Sequence, residues 1–173
     1  YKAFFGKEKY DLKKLQAHVK RYGEINKSEL DDNYISDNYG YKYFRYEDAK
    51  LIGFIREDLQ HEYDRGLINQ REFNILLASL LYSFDRCANT VGHYEAYIKG
   101  KEIMSEFIYE LIEPIECNNK IEIYREDSNE LAKHVVADVA FIDPPYNSRQ
   151  YSRFYHVMET ITKWEKRIIW TEI

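Results

Sequence analysis

The tetrad Asp143-Pro144-Pro145-Tyr146 stands directly after the apolar run 135–142 (Val-Val-Ala-Asp-Val-Ala-Phe-Ile). An ionised Asp143 offers only acceptors, and the carbonyl of Pro144 offers another. Two acceptors aimed at the two hydrogens of a ring-conjugated amino group, such as that of adenine, would localise its delocalised lone pair for attack on a methyl sulfonium. The two prolines fix their own φ angles, keep Asp143 and Pro144 out of the helical region and bring no N–H to compete. Tyr146 adds a flat face on which an unstacked base can lie, a contact worth roughly 1–3 kcal/mol. A proline pair also ends strands without any chemistry. An acid before it, an aromatic after it and a continuous apolar strand ahead rarely coincide, and together they favour the chemical reading.

The elements that must position these groups follow from periodicity. The run 135–142 predicts a buried strand, which places the tetrad at a strand's carboxyl end, where ligands bind in open α/β sheets. Glu122-Ile123-Tyr124 predicts a short strand, with Asp127 and Glu130 a capping pair that turns it into a helix. A final helix is expected from about Arg153, with Val157, Ile161 and Trp164 on one face and His156 in a surface or packing role. Upstream, residues 1–24 predict an amphipathic helix with a basic face, and residues 25–45 a polar, aromatic loop. Ile52, Ile55 and Leu59 predict a helix from Glu47 to about Tyr63. Asn69 and Glu72 form a capping-box pair ahead of the wide apolar face Phe73, Leu76, Leu77, Leu80, Leu81 and Phe84. Residues 85–101 break this pattern with polar and aromatic residues, and suit either a partner-contacting loop or an ordinary connector.

Composition bounds the rest. A chain of 173 residues accommodates one core and, by default, one domain. The net charge of −5 argues against bulk electrostatic coating of nucleic acid, though not against local phosphate contacts. The 17 tyrosines, among many Asn, Ile and Lys, are explained for the most part by nucleotide bias. Cys87 and Cys117 have neither metal-ligand spacing nor a disulfide framework, so no metal is expected and a reducing compartment is. No apolar stretch is long enough to span a bilayer and no signal pattern opens the chain, from which no membrane partner and a cytoplasmic location are expected. A start at Tyr1 and an end at Ile173 suggest a fragment of a longer reading frame.

Asn89-Thr90, then Tyr94-x-Ala96-Tyr97-Ile98-Lys99, then Asp127 after a short strand, then Asp143 to Tyr151 together resemble the Dam-type class of adenine-specific DNA methyltransferases of restriction-modification systems. The resemblance covers about residues 33–164 and is most specific in the nine residues from Asp143. It implies a Rossmann-like α/β fold that binds S-adenosylmethionine, here partial, with a helical target-recognition insert. By it, residues 46–117 are the insert and 121–166 the catalytic β-α segment of one incomplete 1–173 domain. Asp143, Pro144, Pro145 and Tyr146 hold the flipped adenine, and Asp127 and Asp143 approach the cofactor. Arg86, Asn89, Tyr94, Lys99 and Arg149 face double-stranded DNA, and a cognate restriction endonuclease is the companion protein. The family's glycine-rich cofactor loop has no counterpart, since Phe4-Phe5-Gly6 has no second glycine and no strand before it. An RNA or protein-glutamine N-methyltransferase, or a non-catalytic DNA-binding specificity piece, are the alternatives. The helical segment and an acid rather than Asn at position 143 favour DNA.

Overall fold

Asn69 and Glu72 form the reciprocal cap that their spacing predicts. Asn69 Oδ1 accepts the Glu72 N–H and Glu72 Oε2 accepts the Asn69 N–H, both at 2.9 Å. They open helix α5 (Gln70–Cys87) in a computed structural model that describes residues 1–100, 102–115, 119–144 and 151–166. Glu72 is buried and does more than cap. Its other oxygen accepts the Asp11 N–H at 3.1 Å, and Lys14 Nζ donates to Oε2 at 2.8 Å. Asp11 in turn caps helix α2 (Leu12–Gly23) through the N–H groups of Lys13 and Lys14. One carboxylate therefore ties the starts of two helices together. The single amphipathic helix expected over 1–24 is two, α1 (Lys2–Phe5) and α2.

The expected loop over 25–45 is also partly helical. Asn33 and Ser36 make a second capping box, which opens α3 (Tyr34–Tyr39). Asn33 Nδ2 donates to the Lys50 carbonyl on α4 (Tyr46–Asp64) at 2.9 Å. That approach requires a glycine opposite, because a Cβ on Gly53 would sit 2.0 Å from Asn33 Oδ1. The apolar positions read from periodicity (Ile52, Ile55 and Leu59 on α4; Phe73, Leu76, Leu77, Leu80 and Phe84 on α5) are buried, each such side chain contributing roughly 1.5–3 kcal/mol. Leu81 is only partly buried.

The carboxyl-terminal residues enter the same core. The one helix expected from Arg153 is broken at Tyr155 into α7 (Tyr151–Phe154) and α8 (His156–Lys163). Val157 and Ile161 of α8 are fully buried beside residues of α4 and α5, across the division at 117–121 expected from the sequence. Arg56, only 2% exposed, donates from Nε to the Ile161 carbonyl at 2.7 Å, and its guanidinium lies against the rings of Phe73 and Trp164. A cation there complements the carboxyl end of α8. An extended strap, residues 102–115, crosses α4 and α5 with Phe107 and Tyr109 buried. Its backbone is held by side chains: Asp48 accepts the Phe107 N–H, Ser83 that of Glu110 and Ser79 that of Ile112.

The expected strands 122–124 and 135–142 are not formed. Among the described residues, strand pairing is limited to two isolated bridges, Gly40 with Phe44 and Thr90 with Tyr97. The body is helical, and no α/β sheet is built from these residues. Val136, Phe141 and Ile142 are 98%, 92% and 81% exposed. A buried parallel strand needs neighbours on its edges and cover on both faces, and the described residues supply neither. Between the two runs, a single helical turn, α6 (Ser128–Leu131), does form.

Candidate functional site

The candidate site has two parts, the connector after α5 and the segment that carries the tetrad. The connector is an ordered loop. Asn89 donates its N–H to the Tyr43 carbonyl at 2.8 Å, and Nδ2 to the carbonyls of Lys42 at 2.9 Å and Ile98 at 3.0 Å. With its amide committed on both sides, Asn89 draws the loop into the hairpin-like form marked by the Thr90–Tyr97 bridge, and Gly92, at φ 97°, turns it. Tyr94 is 1% exposed and inserts between α5 and the turn before α4. Its hydroxyl donates to Asp85 at 2.9 Å, its carbonyl accepts the Tyr43 hydroxyl at 2.7 Å, and its N–H donates to the Phe154 carbonyl at 2.8 Å. Burial, and then Asp85, push the Tyr94 phenol well above its ordinary range, so it stays protonated and a donor.

Four residues of this region were expected to face nucleic acid. Tyr94 is buried with its hydroxyl bonded to Asp85, and the N–H and Nδ2 of half-buried Asn89 are bonded to the carbonyls of Tyr43, Lys42 and Ile98, so both help to frame the loop. Lys99 is exposed. Arg86 is exposed too, but it pairs with Glu110 and its guanidinium lies 5.6 Å from the Tyr82 ring centroid, so its charge is already matched. Arg149 lies outside the described residues.

Of the tetrad, Asp143 and Pro144 are described and exposed, and Pro145 and Tyr146 lie outside the described residues. Asp127 caps α6 by accepting the Asn129 N–H at 2.8 Å. Glu130 does not close a capping box with it, and bonds instead to Lys133 Nζ at 2.7 Å and 2.8 Å. A cleft of about 270 Å³ lies between α3 and α7–α8, walled by Tyr34, Tyr39, His156 and Lys163. Another of about 530 Å³ lies beside Phe4, Phe5, Arg71 and Lys120. Neither Asp127 nor Asp143 lines these clefts. Asp127, which caps α6, and the exposed Asp143 do not by themselves form a cradle for S-adenosylmethionine.

Pattern reading passed over His93, Phe154, Tyr43 and Asp85, which Tyr94 and its neighbour bring together. The contacts of Tyr43 and Phe154 join parts of the chain far apart in sequence, and no local spacing announces them.

The D12 class N6 adenine-specific DNA methyltransferase family matches residues 8–169, a span that holds the connector, Asp127 and the whole tetrad. The chain belongs to this family. Among similar proteins, the modification methylase LlaI of Lactococcus lactis subsp. lactis is 31% identical over 170 residues, which is 88% of this chain and 27% of that protein. The type II methyltransferase M.FokI of Planomicrobium okeanokoites is 37% identical over 125 residues, 71% of this chain and 19% of the relative. The type II methyltransferase M.CviAII of Paramecium bursaria Chlorella virus 1 is 36% identical over 121 residues, 69% and 36% of the two chains. The D12-class chain thus spans well under half of each relative. No solved structure matches it, and among the described residues no helix is long and apolar enough to cross a membrane.

Proposed function

We propose that this chain carries the adenine-holding and target-recognition part of a site-specific DNA methyltransferase, which moves a methyl group from S-adenosylmethionine to the exocyclic amino group of adenine within a restriction-modification system. The observation that carries the reading is the family match across residues 8–169, which includes the intact tetrad. In this reading, the run 135–142 takes its place in a Rossmann-like α/β sheet, and Asp127 and Asp143 flank the cofactor.

The chain's own contribution is to hold the acceptor. With the adenine extruded, at roughly a few kcal/mol for unstacking, the Asp143 carboxylate and the Pro144 carbonyl accept the two amino hydrogens. This turns the nitrogen lone pair out of ring conjugation. Tyr146 stacks on the base and Pro145 keeps the turn stiff. Lys99 contacts phosphate, and Arg149 and Arg86, the latter on leaving Glu110, are the further basic groups that contact the duplex. A cognate endonuclease acting on the same site is the companion expected of such a system.

The test is Asp143→Ala in the full-length protein, assayed with a labelled methyl donor on unmodified genomic DNA and digestion to nucleosides. N6-methyladenine is expected from the parent protein and none from the variant, with the thermal midpoint unchanged. Undiminished transfer by a folded Asp143→Ala protein overturns the mechanism. Label found in ribosomal RNA or in protein glutamine, and absent from DNA, moves the substrate to one of the alternative classes.

A further inference from the structure

Among the described residues, those that follow Pro144 in sequence begin with α7, a four-residue helix against the helical body. One helical turn is not stable alone, because nucleation costs more than a single turn recovers. Its position must come from outside, and the connector grips it. The Tyr94 N–H donates to the Phe154 carbonyl at 2.8 Å, and the His93 ring lies 4.9 Å, centroid to centroid, from the Phe154 ring. The far side of the grip is rigid. Tyr94 is pinned by its hydroxyl to Asp85 on α5 and by its carbonyl to Tyr43, and its ring packs near those of Tyr43 and Phe84. Asn89 ties the same loop to the carbonyls of Lys42 and Tyr43. The loop that leads to exposed Lys99 thus holds α7, which begins five residues after Tyr146 in sequence.

We propose that His93 and Phe154 are positioning residues of the methyl-transfer site: with Tyr94 as a buried pin, they clasp α7 to the recognition loop and set where the tetrad's acceptors stand relative to bound DNA. The proposal rests on the methyltransferase reading above. Neither residue touches the reacting atoms. They act through α7, and a displacement of about 1 Å at a reacting centre can cost on the order of 10²-fold in rate.

The experiment uses the full-length protein, with duplex DNA and a labelled methyl donor under single-turnover conditions. Both rings are partly exposed, so His93→Ala and Phe154→Ala should fold, which thermal midpoints verify. Each is expected to slow transfer about tenfold while the DNA dissociation constant moves less than about twofold. The double variant should be no slower than either single one, because both break one contact. Phe154→Tyr should recover most of the rate. Amide hydrogen exchange gives a readout independent of turnover: Phe154→Ala should speed exchange in peptides covering 88–100, and His93→Ala in those covering 151–163. Folded single variants that transfer at the parent rate, losses that multiply in the double variant, or exchange unchanged across the clasp overturn the proposal. A parent protein that methylates no DNA removes the functional reading instead, and the exchange measurement still decides whether the clasp exists.

Discussion

The helical body and the segment 119–144 are built from similar proportions of apolar residue, yet they end in opposite states. In the body, Leu80, Ile55 and Ile161 are fully buried and helix starts are capped by Asp11, Asn33 and Asn69. In the segment, Val136, Val139, Phe141 and Ile142 are largely exposed, and a single turn, α6, is its only helix. A helix satisfies its own backbone and needs only one covered stripe, whereas a strand needs a neighbour for every N–H and C=O it presents. An apolar run of strand type therefore adds no stability until other strands reach it. The proposed chemistry sits at the end of the region that these residues stabilise least.

The sharpest way to break that contrast is to delete apolar volume in both regions of the 173-residue chain and follow urea unfolding. Leu80→Ala is expected to cost about 2–5 kcal/mol, the range for emptying a packed core site. Phe141→Ala, with its ring already in water, should stay within about 0.5 kcal/mol. A comparable loss from both would mean that 135–142 is packed in solution and that the contrast is wrong.

A smaller effect should separate the regions by pH. Burial works to raise the Glu72 carboxyl, but the bonds from Lys14 and from the N–H groups of Asn69 and Asp11 outweigh it and hold the group below the usual carboxylate range. A folded pKa below the unfolded one gives stability that is present above the unfolded pKa and lost as pH falls through the folded value. Stability of the body should therefore decline on acidification below about 4.5, the unperturbed value. Glu72→Gln should weaken the body at neutral pH and flatten that decline. An equally steep acid limb in Glu72→Gln would assign the dependence to other carboxylates.

The smallest effect concerns the outer face of the connector. Lys99→Ala should leave folding untouched, weaken binding to duplexes of any sequence, and reduce the salt dependence of binding by about one unit of slope. Identical salt plots for the parent and variant proteins would return the loop to a purely structural role, with the clasp on α7 as its one remaining use.

Local chemistry made α4 and α5 readable in advance: a capping pair, a 3.6-residue apolar period and acids at the amino end are properties of neighbours in sequence. The Asp143 tetrad stands out as a candidate for the same reason, since its proposed logic is contained in four adjacent residues, and the family match spans it. The second capping box, Asn33 with Ser36, was equally local and was hidden only by the tyrosines around it. What no local pattern could supply is the assignment of work inside the connector. Asn89 and Tyr94 have the side chains of a DNA-contacting loop, and the arrival of Lys42, Tyr43 and Phe154 from distant parts of the chain, with Asp85 close by on α5, ties them into the framework. The strand 135–142 is the converse case. Its residues determine that it suits a sheet, but hydrogen-bonded strand pairs are made between segments, so the tertiary structure alone decides whether that strand exists.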